Sequence, residues 1–249
     1  MCRQRARCTL IYFSSITRIK LIKDVHNCTR LSKCTHTLLL TLTHGTARVF
    51  LKGGTVDITA HEVQENGSLR SLLQPTGGHW GGTLVSGRFE SFLEKIFTTE
   101  VLSRFKTEYK AEYLELKMLI EYKKRVQITT SDEVTIRLPV ELYNLFTKMA
   151  GTTMKDLLLD TDFGGVKMKR GGLKIKKEIL IGLFDESKDA IIDKVKELLQ
   201  VPAMENVQTI LMIGGFSESP VMQDAIRTAF KDFHIIFPED AGNAVMKGK

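Results

Sequence analysis

Three short patches of the sequence combine glycines or clustered charges with residues that could contact a ligand. The first is the run Gly53, Gly54, Thr55, Val56 and Asp57. Glycines let backbone N–H groups approach a phosphate closely, and the hydroxyl and carboxylate that follow can organise phosphate and Mg²⁺. Taken alone, two glycines before a strand usually form only a turn.

The second patch is a set of charges, Glu121, Lys124 and Arg125, at the end of the predicted helix Ala111–Lys124. Residues three and four apart lie on neighbouring faces of a helix, so one acid and two cationic side chains come together. They could clamp an adenosine by hydrogen bonds and by stacking of the guanidinium. On spacing alone, a solvated charged face is the simpler interpretation.

The third patch is the run Gly214, Gly215 and Phe216, which follows the apolar segment Val207–Ile213. A short continuous apolar run predicts a strand that is buried on both faces. The Ser-Pro pair at 219–220 then predicts a helix, with the serine as N-cap and the proline in the first position. A strand, a glycine turn and a helix place a ligand at the carboxyl end of the strand, where the glycines could admit a flat base or a ribose. A tight turn without a ligand is the alternative.

The spacing of apolar residues predicts alternating strands and helices that would position these patches. Thr55–Val63 has the strand period of two, and Lys176–Leu199 repeats apolar residues at intervals of three and four, as one long helix does. The glycine-rich residues 77–82 predict a loop. The other predicted elements are strands at Leu69–Leu73, within Ile128–Leu138, within Phe163–Ile175 and near His234–Phe237, and helices at Leu84–Phe97, Ala111–Lys124 and Val140–Ala150.

The basic character of the chain is confined to its first 46 residues. They hold eight of the 36 Lys and Arg residues and one of the 29 Asp and Glu residues, so the whole formal net charge of +7 lies there. A neutral remainder has no electrostatic footprint for nucleic acid, and we expect no nucleic-acid partner. The four cysteines lie in the same stretch, at positions 2, 8, 28 and 34.

This change in composition predicts two parts, a basic, Cys- and Thr-rich segment at 1–46 and a folded domain at 47–249. The segment shows no sustained period, and we interpret it as poorly structured or foreign to the domain. An organelle transit peptide is one alternative, because the segment is rich in Arg and hydroxyl residues and poor in acids. A zinc site is another, although the five-residue gap between its cysteines exceeds the usual spacing. Its ligands would be His26, Cys28, Cys34 and His36.

Membrane insertion and disulfide bonding are both disfavoured by the sequence. No stretch approaches the 18 or more consecutive apolar residues of a transmembrane helix, so we expect no membrane span. The domain after residue 46 contains no cysteine, which excludes a disulfide framework within it. We expect a reducing compartment and a cytoplasmic location.

The order of the three patches, with the lengths between them, resembles the nucleotide-binding domain of the 70-kDa heat-shock proteins. The run at 53–57 resembles the second phosphate loop of that family. The charges within 121–125 resemble its adenosine clamp, and the run at 214–220 resembles its adenosine loop. Two further runs, at 77–82 and 137–139, resemble the divergent twelve-type branch of the family.

The resemblance covers residues from Arg48 to Lys249, about four-fifths of the chain. It implies an α/β fold, the second lobe of an actin-like (ribonuclease H-like) ATPase domain. It also implies that ATP or ADP is held with Mg²⁺ between two lobes. The implied role is that of a chaperone-type protein whose partners are protein clients or co-chaperones.

Departures from the family pattern weaken the implied activity. Phe50 stands where the family has an aspartate, and a phenylalanine cannot order a magnesium-bound water. Lys52 replaces the first of three glycines, and Ser86 replaces an acid. The first phosphate loop, its lysine and the first lobe have no counterpart in residues 1–46. We therefore expect at most weak binding of adenosine nucleotide and little or no turnover, and we assign no catalytic residue.

Two other interpretations stay open. The lobe could be a non-catalytic protein-interaction module in which nucleotide plays no part. A different actin-fold enzyme, such as a sugar kinase, is disfavoured by the Gly-His-Trp-Gly run. His79 and Trp80 could line the nucleotide cleft, but a lone Trp in a glycine loop is more often a packing anchor.

Overall fold

The computed structural model describes residues 45–238 apart from 65, 67, 127–130 and 161–162, together with 13–14, 18–19 and 241–242. The strands are β1 (Phe13–Ser14), β2 (Arg18–Ile19), β3 (Gly45–Leu51), β4 (Val56–Val63), β5 (Leu69–Ser71), β6 (Thr76–Gly78), β7 (Glu133–Arg137), β8 (Val166–Lys169), β9 (Gly172–Lys176), β10 (Val207–Ile213) and β11 (His234–Ile236). The helices are α1 (Gly82–Phe97), α2 (Thr99–Glu108), α3 (Lys110–Val126), α4 (Val140–Ala150), α5 (Met154–Asp160), α6 (Lys177–Gly182), α7 (Asp185–Leu199) and α8 (Pro220–Ala229), with short 3-10 turns at Pro202–Met204 and Gly215–Glu218. This mixed α/β architecture agrees with the expected actin-like lobe.

The main sheet has the strand order β11-β10-β3-β4-β5, and β6 also pairs with β4. Strand β10 runs parallel to both of its neighbours, β11 and β3, whereas β4 is antiparallel to β3, β5 and β6. The predicted bounds of β10 match the observed strand. Its largely apolar sequence fits this inner position, where five of its seven residues are buried and Gln208 is exposed.

The second sheet, β7-β9-β8, is small and antiparallel. Its strands alternate between buried and exposed positions, so one face packs on the interior. Val134 and Ile136 of β7 and Leu173 and Ile175 of β9 form this buried face and join the same apolar core as the main sheet. Helix α4 has the bounds that the sequence predicted, and it packs on α2 beside this sheet.

Two features near the first predicted strands differ from the structure. Strand β3, which was not predicted, precedes the predicted strand at Thr55–Val63 and pairs with it as β4, with Val49 opposite Ile58. The predicted loop at 77–82 begins with the last two residues of strand β6. The strands predicted within Phe163–Ile175 and Ile128–Leu138 are present, because the first range holds β8 and most of β9 and the second holds β7. Residues 127–130 lie outside the described part.

The predicted long helix Lys176–Leu199 is two helices, α6 and α7, separated by Leu183 and Phe184. The N–H groups of these two residues donate to carbonyls three residues back, which tightens the end of α6 and stops it. The helix breaks here because of a tertiary contact. The ring of Phe184 is fully buried and stacks on Phe216, with centroids 6.1 Å apart. A helical period cannot reveal a contact with a residue 32 positions away.

The predicted cap of α8 is also only half correct. Ser219 does occupy the position before Pro220, but its side chain makes no capping hydrogen bond, and its Oγ is buried without a partner. Gln223 bonds this turn instead, because its side-chain amide donates to the carbonyl oxygen of Ser217 at 2.9 Å.

Little of the first 46 residues is described. Strands β1 and β2 form one short antiparallel pair there, and β3 begins at Gly45, two residues before the predicted boundary. The four candidate zinc ligands lie outside the described residues, so the interpretation of this segment stays a prediction. Among the described helices, none is both long enough and apolar enough to cross a bilayer.

Candidate functional site

The first patch forms a tight loop of four residues, Lys52 to Thr55, between the paired ends of β3 and β4. Its carbonyls are bonded, because the N–H of Gly82 donates to the Lys52 oxygen at 3.3 Å and the N–H of Thr83 donates to the Gly53 oxygen at 2.6 Å. Within the described part of the chain, the N–H groups of Gly53 and Gly54 make no hydrogen bond. A side chain at Gly53 would meet nothing within 4 Å. The loop therefore presents free backbone donors to open space, as an anion site requires.

Gly81 brings the start of α1 against this loop. A side chain at Gly81 would place its Cβ 2.6 Å from the carbonyl oxygen of Gly53 and 2.7 Å from that of Lys52. Only glycine permits so close an approach of two backbones. The glycine pair at 81–82, expected only as part of a loop, therefore positions the phosphate-loop candidate.

The charges of the second patch are not a solvated face. Lys124 is 6% exposed, and its ammonium donates to the Gly82 carbonyl at 2.9 Å, to Ser86 Oγ at 2.7 Å and to Glu121 Oε1 at 2.8 Å. These three acceptors use the three donors of a lysine ammonium. Ser86 Oγ lies 2.6 Å from the same carboxylate oxygen, to which it donates. Arg125 is the exposed cation of the set.

The ionisation of this pair reflects both burial and pairing. Burial alone would raise the pKa of the Glu121 carboxyl, but the hydrogen bonds from Lys124 and Ser86 and the charges of Lys124 and Arg125 outweigh it and lower that pKa. For Lys124 the balance is opposite, because burial lowers its pKa by more than Glu121 raises it. Since all three ammonium donors are used, we regard Lys124 as charged at neutral pH.

The third patch turns sharply at the end of β10. Gly214 has φ of 96°, and a Cβ there would lie 2.3 Å from the carbonyl oxygen of Leu51 in β3. Its N–H donates to the Ala241 carbonyl at 2.8 Å. Gly215 differs, because among the described residues a Cβ at this position would have only Arg125 Nη2 within 4 Å, at 3.9 Å. Gly214 is thus required by the fold, whereas Gly215 leaves open space beside the exposed guanidinium.

Phe216 lies in the interior rather than at an open surface. It is 7% exposed and stacks on Phe184. A Cβ at Gly82 would lie 3.3 Å from its ring and 3.6 Å from Lys124 Nζ. The ring packs against Gly82 inside the fold. A direct contact between Phe216 and a ligand stays a prediction.

All three predicted patches therefore meet around the pair Gly81 and Gly82. This pair contacts the loop of Gly53, the ammonium of Lys124 and the ring of Phe216. Sequence reasoning missed Gly81, Gly82 and Ser86 as members of the site. The sequence signal for the two glycines was the pair at 81–82, just before the predicted helix Leu84–Phe97. Paired glycines allow close contact between backbones.

An open cleft of about 590 Å³ lies next to the phosphate-loop candidate. It is lined by Gly54, the exposed His79 and residues of α1 that include Thr83 and Gly87. Trp80 instead packs on the apolar core, and its carbonyl accepts a hydrogen bond from Ser187 Oγ. The expectation that Trp80 is a packing anchor is confirmed.

A magnesium ion does not fit the residues described. Asp57 offers one carboxylate, and Lys52 Nζ already lies 2.6 Å from its Oδ2. Phe50, directly opposite Asp57 in the strand register, brings no oxygen. Among the described residues, no group of three or more His, Cys, Asp or Glu side chains could hold a metal. At nucleotide sites Mg²⁺ is held by one or two carboxylates together with phosphates and waters, and the carboxylate of this loop is already paired with Lys52.

The sequence is similar to curated proteins of one family. Over 200 residues, 79% of the chain, the sequence is 32% identical to "Heat shock 70 kDa protein 12A" of Mus musculus and of Homo sapiens. Over 201 residues it is 29% identical to "Heat shock 70 kDa protein 12B" of Homo sapiens. The chain spans about 30% of the length of these curated relatives. No protein-family profile matches the chain. Over 79% of its length, the chain is therefore similar to the 12A/12B-like branch of the 70-kDa heat-shock protein family.

Proposed function

We propose that this chain is an adenosine-nucleotide-binding lobe of a 70-kDa heat-shock type protein, with chaperone-type clients or co-chaperones as partners. The observation that carries the proposal is the convergence of the three patches on Gly81 and Gly82. Patches that lie far apart in sequence meet at this buried glycine pair, and together they offer free backbone donors, an exposed guanidinium and open space at a glycine.

Each group has a chemical role in this proposal. The planar guanidinium of Arg125 stacks on the adenine beside Gly215, where no side chain intrudes. Glu121 accepts a hydrogen bond from the ribose through the carboxylate oxygen that Ser86 and Lys124 leave free, Oε2. The N–H groups of Gly53 and Gly54, with the hydroxyl of Thr55, receive the phosphates. Lys124 is a positioning residue that holds Glu121 in place.

The expected affinity is low and shows little preference between nucleotides. The described residues contact a nucleotide from one lobe only, so we expect ADP and ATP to bind about equally, with a Kd of roughly 0.1 to 1 mM. Phe50 replaces the aspartate that would order a hydrolytic water, so we expect little or no ATP turnover. A cytoplasmic location remains part of the proposal.

A second function, a protein-interaction module, is favoured by one observation. Leu114, Met118 and Tyr122 recur every four residues along α3 and are 58%, 64% and 53% exposed. Residues at this spacing form one helix face, and an exposed apolar face of this kind suits a protein partner. It lies on the same helix as Glu121 and Arg125, so a partner and a nucleotide could each use α3.

Calorimetric titration separates the two functions. ADP and ATP are titrated into the wild-type chain, Gly215→Val, Gly215→Ala and Thr55→Ala. Valine fills the space assigned to the base and should abolish binding, whereas alanine should reduce it only partly and Thr55→Ala should matter little. Absence of saturable binding to the wild type at millimolar nucleotide would reject the nucleotide proposal and favour the interaction module.

A further inference from the structure

The lysine inside the phosphate-loop candidate forms an ion pair that the family pattern does not contain. Lys52 stands where the family has a glycine, and its Nζ lies 2.6 Å from Oδ2 of Asp57. The backbone of Lys52 closes the loop, since its N–H donates to the Thr55 carbonyl at 2.9 Å. A cation therefore sits beside the free N–H groups of Gly53 and Gly54.

This ion pair is accessible to a ligand. The side chains of Lys52 and Asp57 are 56% and 46% exposed. Exposed ion pairs of this kind contribute little stability and exchange partners readily. A phosphate arriving at the loop can therefore take the ammonium without breaking any part of the core.

Within the described loop, the ammonium of Lys52 pairs with Asp57, the carboxylate that could otherwise hold Mg²⁺ through waters and phosphates. A lysine ammonium is a compact point charge, and lysine is a common phosphate ligand next to glycine-rich loops. One positive charge is thus available to a phosphate in this loop without a metal.

We propose that Lys52 takes the place of Mg²⁺ and binds the phosphates of a nucleoside diphosphate directly, so that binding does not require a divalent metal. The inference rests on the proposed nucleotide function. It adds that Lys52 binds the phosphates and that nucleotide binding needs no divalent metal. Lys52 donates to the terminal phosphate, Gly53 and Gly54 donate through their N–H groups, and Asp57 holds the ammonium in the loop when no ligand is bound.

The proposal makes opposite predictions for the two partners of the ion pair. Lys52→Gln should reduce the phosphate contribution and leave adenosine binding unchanged. Asp57→Asn should strengthen ADP binding about twofold or more, because it frees the ammonium and removes a negative charge that faces the phosphate. If Asp57 organised a magnesium ion, the same variant would weaken ADP binding in the presence of Mg²⁺.

The test is a calorimetric titration of adenosine and of ADP, each in EDTA and in excess Mg²⁺, into the full chain. We expect ADP to bind at least about threefold tighter than adenosine, in EDTA as well as in Mg²⁺. Lys52→Gln should weaken that preference, because the ammonium contact is lost while the backbone N–H donors of Gly53 and Gly54 remain. The control, Lys95→Gln, changes an exposed lysine near the end of α1 and should keep it.

Three results would overturn the proposal, and they differ from a failure of nucleotide binding itself. The first is ADP binding more than about fivefold tighter with Mg²⁺ than in EDTA. The second is an ADP preference that is as large in Lys52→Gln as in the wild type. The third is weaker ADP binding by Asp57→Asn in Mg²⁺. In each of these cases adenosine still binds, so the proposed function stands. If adenosine and ADP both fail to bind, both proposals fall.

Discussion

Lys124 of α3 donates a hydrogen bond to the backbone carbonyl of Gly82 at the start of α1, with Nζ and the oxygen 2.9 Å apart. The contact crosses 42 positions of sequence and fixes the end of α3 against the glycine pair where the three patches meet. It also explains how an ammonium can be buried, because a buried charge is tolerated when all its donors are used. The exposed Arg125 next to it is thereby held near Gly215.

Lys124→Met should lower the free energy of unfolding by about 1 to 3 kcal/mol, because the Gly82 carbonyl and the Glu121 carboxylate lose a charged donor while the apolar stem is kept. Urea denaturation measures this change. The matched control is Lys95→Met, whose lysine is exposed on α1 and which should stay within about 0.5 kcal/mol of the wild type. Equal stability of both variants would show that the ammonium does not hold the two helices together.

The pairing of Glu121 predicts a loss of stability in acid. Its pKa is lower in the folded chain than the unfolded value of about 4.3, so its contribution is present above that value and is lost as the pH falls through the folded pKa. Glu121→Gln should cost about 1 kcal/mol at neutral pH, a modest amount because the side chain is 45% exposed.

The same difference between Glu121→Gln and the wild type should disappear well below pH 4, where both side chains are neutral. Denaturant titrations of the two proteins across this range measure it. A stability difference that stays constant down to strong acid would contradict the assigned ion pair.

The two glycines at the end of β10 should respond differently to a single methyl group. Gly214→Ala should destabilise the chain by roughly 3 kcal/mol or more, because φ is positive and the Cβ would collide with the Leu51 carbonyl. Gly215→Ala should be nearly neutral, since its Cβ has free space. Thermal melting followed by circular dichroism compares them, and similar melting temperatures would refute the assigned turn.

The elements that the sequence predicted well are those with a strong local period. Strand β10 and helix α4 are continuous in pattern and bounded by glycine or proline, so their limits are set by neighbouring residues. The break at Phe184 was missed because it depends on packing against Phe216. Strand β3 was missed because it directly follows residues without a recognisable period.

The candidate site was predictable in its parts and not in its geometry. Glycine pairs and the acid-base spacing marked the three patches, and their contact at Gly81 and Gly82 appears only in the fold. The position of Lys124 was not predictable, because spacing along a helix indicates which residues share a face and not which face is buried. The ion pair of Lys52 with Asp57 was not predictable either. It depends on the strand register, which places Asp57 opposite Phe50 and so beside the loop that holds Lys52.

The most direct measurement is an ADP titration of the ¹⁵N-labelled chain, followed by nuclear magnetic resonance at the glycine amides. If the three patches form one site, the amides of Gly53, Gly54, Gly82 and Gly215 shift together with a single apparent Kd in the submillimolar to millimolar range. Two glycines remote from the patches, Gly151 at the end of α4 and Gly171 in the β8–β9 turn, should not move. Shifts confined to one patch, separate Kd values for different patches, or equal shifts at the remote glycines would contradict a shared adenosine-nucleotide site.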